Sequence, residues 1–61
     1  MRTFTIVASK GGETITTVRL GPKISVEKAL GLSESGWQVL FTDSEGRQYT
    51  PDQLDQVLQR E

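Results

Sequence analysis

Between Thr3 and Ser9 the chain alternates, with Phe4, Ile6 and Ala8 set against Thr3, Thr5 and Val7. A period of two in β-branched and aromatic residues predicts a strand. Residues Glu13 to Leu20 have a similar make-up, and Lys10-Gly11-Gly12 lies between, so the first twenty residues read as a β-hairpin. Phe4, Ile6, Val18 and Leu20 all carry even numbers, so one shared apolar face requires even residues opposite even ones. A three-residue loop, Lys10-Gly11-Gly12 with Gly12 in the left-handed region, supplies that register. On this register Val7 lies opposite Ile15.

Gly21-Pro22 ends the second strand. Ser25 is a suitable N-cap for a short helix, and Val26, Ala29 and Leu30 have the i, i+3, i+4 spacing of one face. Gly31 is placed to end that helix, with Leu32 folding back on Val26. Trp37 to Thr42 predicts a third strand with Trp37, Val39 and Phe41 on one face. Ser44-Glu45-Gly46 forms a second three-residue loop, which sets Tyr49 opposite Phe41 in a fourth strand, Arg47 to Thr50. Thr50-Pro51-Asp52-Gln53 is a capping box with Pro at the first helical position, and Leu54, Val57 and Leu58 give the helix it opens a buried stripe.

The element order is therefore ββαββα. It predicts an α+β fold in two layers, one four-stranded, mainly antiparallel sheet with both helices on one face. The length of 61 residues, with 34% hydrophobic, fits a single small domain over residues 1–61 with a thin core. Met1-Arg2-Thr3-Phe4-Thr5-Ile6 followed by Gly12-Glu13-Thr14-Ile15-Thr16 resembles the opening hairpin of ubiquitin-like (β-grasp) proteins. Val39-Leu40-Phe41 with residues 43–49 resembles their third strand and the turn after it. The resemblance implies a two-layer α+β architecture. It does not carry over carrier or modifier function, because Gln59-Arg60-Glu61 stands where conjugating members have Gly-Gly.

Composition narrows the chemistry. With no Cys and no His, there is no thiolate nucleophile, imidazole base or zinc-thiolate set. Lys10-Gly11-Gly12 precedes a strand, where a phosphate loop would precede a helix. Asp43-Ser44-Glu45-Gly46 has too few ligands for a calcium loop. The carboxylate pairs Asp43/Glu45 and Asp52/Asp55 fall on a hairpin tip and a helix surface, not in a cleft. We therefore expect no enzyme, no cofactor, no metal site and no small-molecule substrate. No apolar run nears the ~20 residues that span a bilayer, and Met1-Arg2-Thr3 opens no signal peptide, so no membrane contact and a cytoplasmic location are expected.

Seven basic residues face eight acidic ones, a net charge of −1. Residues 1–30 carry Arg2, Lys10, Arg19, Lys23 and Lys28 against Glu13 and Glu27, while six of the eight acids lie in residues 31–61. One reading is a nucleic-acid-binding domain built on the basic hairpin, with Phe4 and Tyr49 beside Arg2, Arg19, Lys23 and Arg47. The net charge argues against it. A ligand-free scaffold is another. The reading we carry forward is a non-catalytic protein-interaction module, such as a small regulator, inhibitor or accessory subunit. It binds another protein or a second copy of itself through the outer sheet face. On the expected register that face holds Thr3, Thr5, Val7, Ile15, Thr17, Arg19, Gln38, Leu40, Thr42 and Gln48. The proposed contact residues are Val7, Ile15, Thr17, Arg19, Trp37, Gln38 and Leu40.

Overall fold

In a computed structural model that describes residues 3–60, the elements follow the predicted order. They are β1 (Thr3–Lys10), β2 (Glu13–Leu20), α1 (Pro22–Glu34), β3 (Gln38–Thr42), β4 (Gln48–Tyr49), a 3-10 turn (Pro51–Gln53) and α2 (Leu54–Arg60). The strands form one antiparallel sheet in the order β2-β1-β3-β4. The fold is α+β, and the helices cover one face of the sheet. β1 pairs directly with β3 at the centre of the sheet.

The core lies between this face and the helices. Phe4, Ile6 and Ala8 of β1 and Val39 and Phe41 of β3 meet Val26 and Ala29 of α1 and Leu54 and Val57 of α2. Tyr49 lies opposite Phe41, as the three-residue loop predicts. Phe41 packs between two rings, Phe4 at 5.6 Å and Tyr49 edge-on at 6.2 Å. These offset and edge-on arrangements suit the ring quadrupoles. Leu30 and Leu58, expected in the core, are exposed.

The hairpin register differs from the expectation. Lys10 pairs with Glu13, so the turn is the two residues Gly11-Gly12, at φ 56° and 85°. Two successive positive φ values mark the turn whose twist matches that of the flanking strands, and glycine adopts them without strain. Turn chemistry therefore overrides the shared even parity. Every β2 side chain moves to the opposite face from the one expected. Ile15, Thr17 and Arg19 lie on the helix side, while Val18 and Leu20 face outward and are exposed. The sheet accepts this because β2 is an edge strand, exposed at every residue but half-buried Thr17.

Helix α1 is also longer than expected. Pro22 occupies its first turn, where the missing N–H costs nothing. Ser25 is inside the helix and fully buried, and its hydroxyl donates to the Gly21 carbonyl at 2.6 Å. Gly31 lies within the helix and does not end it. The stop comes five residues later, at Gly36 with φ 93°. The Gly36 amide donates to the Ser33 carbonyl and the Trp37 amide to the Leu32 carbonyl, at 3.1 and 3.0 Å. This pair of bonds is a Schellman cap, and Leu32 and Trp37 both pack against the core beside it. At the last helix, Thr50 starts a 3-10 turn before α2. The Gln53 side chain accepts from the Thr50 amide at 3.2 Å, while the Thr50 hydroxyl donates to Asp52 and the Gln53 amide to the Thr50 carbonyl.

Candidate functional site

With both helices on one side, the other side of the sheet is left bare. Its rows follow from the register. Val18, Thr5, Thr42 and Gln48 form one row across all four strands; Thr16, Val7 and Leu40 form the next. Thr14, Ser9 and Gln38 lie on one side of these rows, and Leu20 and Thr3 on the other. None of these twelve positions carries a charge. Val18 and Leu20 leave 53% and 62% of their area in water, Leu40 leaves 37%, and Val7 is half-buried between Thr16 and Leu40.

The turn dictates this. A two-residue turn pairs odd residues with even ones, so Lys10, Glu13 and Arg19 all lie on the helix side. The expected face held Arg19; the observed face holds Thr14, Thr16, Val18 and Leu20 of β2 instead. Of the seven proposed contact residues, Val7, Gln38 and Leu40 are brought together here. Ile15, Thr17 and Arg19 are on the far side, because the strand is flipped relative to the expected register. Trp37 precedes β3, is half-buried, and packs against the core. The outward residues of β2 were missed, and the Gly11-Gly12 dipeptide was the signal that could have found them.

Two other features flank this face. At the hairpin tip, Ser9, Lys10, Gly11, Gly12, Gly36 and Gln38 line a shallow hollow. Beside it the Lys10 ammonium donates to the Ser35 carbonyl at 2.8 Å, a cation at the C-terminal end of α1. At the opposite edge of the sheet, Asp43 organises the β3–β4 turn. Its Oδ1 accepts the Glu45 and Arg47 amides at 2.9 Å each, and its Oδ2 accepts the Tyr49 hydroxyl at 3.2 Å. Burial pushes the Asp43 pKa up, but the Arg47 and Glu45 amides, the Tyr49 hydroxyl and the Arg47 charge outweigh it and hold the carboxyl below its ordinary value. Burial and the Asp43 carboxylate raise the Tyr49 pKa. Both groups serve the turn.

Compared with protein-family models, curated proteins and solved structures, the chain matches none. Among the described residues, no group of three His, Cys, Asp or Glu could hold a metal ion, and no helix is long and apolar enough to cross a membrane. The nucleic-acid reading loses its stacking platform, because Phe4 and Tyr49 are buried in the core. Arg2, which that reading also used, lies outside the described residues.

Proposed function

We propose that this chain is a non-catalytic protein-interaction module whose outer sheet face docks on another protein. The uncharged outer face is the observation that carries this reading. A sheet face left to water ordinarily bears Lys and Glu, which keep it apart from other molecules. Here threonine hydroxyls and four aliphatic side chains take those places. Such a face matches a partner surface that is apolar and hydroxyl-bearing at its centre. A phosphate backbone would need cations that the face does not offer.

The size of the face favours a small contact. At ~3.3 Å per residue along a strand and ~4.8 Å between strands, the four strands present roughly 370 Å². Covering it buries roughly twice that in total, which belongs with small, transient interfaces. The test places one opposed charge pair in the middle of the face, Thr5→Lys with Thr42→Glu. These two are cross-strand neighbours, so the charges satisfy each other in the free chain but lose water on docking. A partner captured by the wild-type chain, then purified, should bind the double variant at least tenfold more weakly. Equal binding to both would remove the site from this face.

A further inference from the structure

Edge strand β2 has eight residues, no Pro and no bulge, and it pairs on one side only. In a two-residue hairpin the residues flanking the turn exchange both backbone bonds, and the pattern then alternates. From the Lys10–Glu13 pair onward, this leaves the N–H and C=O groups of Thr14, Thr16 and Val18 turned away from β1. One contact supports that assignment. The Arg19 guanidinium curls back to donate to the Val18 carbonyl at 2.9 Å, which suits a carbonyl on the open edge.

The charges on β2 have a symmetry of their own. Glu13 stands three residues before Thr16 and Arg19 three residues after it, and both point to the helix side. We propose that β2 is the seam of a two-fold dimer in which two copies pair antiparallel about Thr16. In that register Thr16 faces Thr16 of the second copy, and Thr14 faces Val18 in both directions. Their outward backbone groups form about six hydrogen bonds. Glu13 of each copy falls opposite Arg19 of the other, in the closer, non-hydrogen-bonded type of pair. On forming this pair, Arg19 releases the Val18 carbonyl to the incoming strand. Sliding the seam by two residues in either direction leaves both charges without opposite partners. The charge pattern thus selects one register and one occupant, a second copy of this chain. Pairing makes one eight-stranded sheet and joins two outer faces into a single surface of twice the area.

Sedimentation equilibrium with charge-reversed chains tests this, with far-UV circular dichroism to confirm the fold of each. The wild-type chain should dimerise. Glu13→Arg or Arg19→Glu alone sets like charges opposite each other at both ends, and each should weaken the dimer roughly tenfold or more. An equimolar mixture of the two single variants restores both opposite-charge contacts, so it should dimerise like wild type, as should the double variant E13R/R19E. Glu13→Gln should fall between wild type and Glu13→Arg. Leu40→Lys, on a central strand, should leave the dimer unchanged, so failure of the seam and failure of the docking face are separately readable. A wild-type chain that is monomeric up to about 1 mM would overturn the proposal. So would single reversals without effect, or a mixture that stays monomeric.

Discussion

Leu40→Lys and Ile15→Lys form a matched pair of perturbations. The two side chains leave nearly the same fraction of their area in water, 37% and 38%. Leu40 lies on the outer face opposite Val7, whereas Ile15 lies on the helix side opposite Ala8. Full burial of a large aliphatic side chain is worth about 1.5–3 kcal/mol, so the third still in water leaves about 0.5–1 kcal/mol for a docked partner to gain. Lysine forfeits that gain and forces partial desolvation of an ammonium group, which costs on the order of 1 kcal/mol more even when the head reaches water. The total of about 2 kcal/mol corresponds to roughly thirtyfold in Kd. The folding cost should be similar for both, about 1 kcal/mol each from lost cross-strand packing, read from urea midpoints. Binding is then titrated by calorimetry against the purified partner, well below both melting temperatures. Leu40→Lys should bind about thirtyfold more weakly, while Ile15→Lys stays close to wild type. Equal losses, or a larger loss at Ile15, would refute the assignment of the face.

Asp43 gives a pH signature. Its folded pKa lies below the ordinary value of 3.8, so its contribution to stability is fully present above that value and is lost as pH falls through the lower folded value. Urea titrations across this acid range should show a shallower decline for Asp43→Asn than for wild type. Ser25→Ala should leave the urea midpoint nearly unchanged or raised, because the hydroxyl bonds back within the helix. A loss of about 1 kcal/mol would mean that the bond from the Ser25 hydroxyl to the Gly21 carbonyl stabilises the fold. Gly12→Ala should cost about 1–2 kcal/mol, since φ 85° is left-handed, although nothing lies within 4 Å of the added methyl. Gly11→Asn, by contrast, should be tolerated, because Asn-Gly suits this turn; midpoints for the two variants check both.

Where the core constrains a strand, its facing was readable. Phe4, Ile6 and Ala8 alternate into the core as their spacing predicts, and Tyr49 meets Phe41 because the Ser44-Glu45-Gly46 loop leaves one register. β2 was not readable in the same way. As an edge strand it pays nothing for exposing Val18 and Leu20, so hydrophobic parity carried no information there and only the glycine pair did. The extent of α1 was hidden because Gly31 occupies an exposed helical position, where its low propensity is outweighed by packing on the opposite side. Val7, Gln38 and Leu40 lie on the outer face as expected, because β1 and β3 are central strands whose facing the core fixes. Ile15, Thr17 and Arg19 were misplaced for the reason that displaced the rest of β2.

The thin anchoring of β2 has a consequence in time as well as in space. Its one neighbour in the sheet is β1, and Thr17 alone along it is even half-buried, so the strand can peel away while Phe4, Ile6 and Phe41 remain packed. In the monomer the amides of Ile15, Thr17 and Arg19 should then exchange with solvent deuterium through this local opening, far faster than those of Ile6 or Phe41, which must wait for global unfolding. A molecule that caps the β2 edge would close this route and slow exchange there. A molecule seated on the centre of the outer face would slow it less. Exchange at three amides can thus report which surface is occupied before any complex is crystallised.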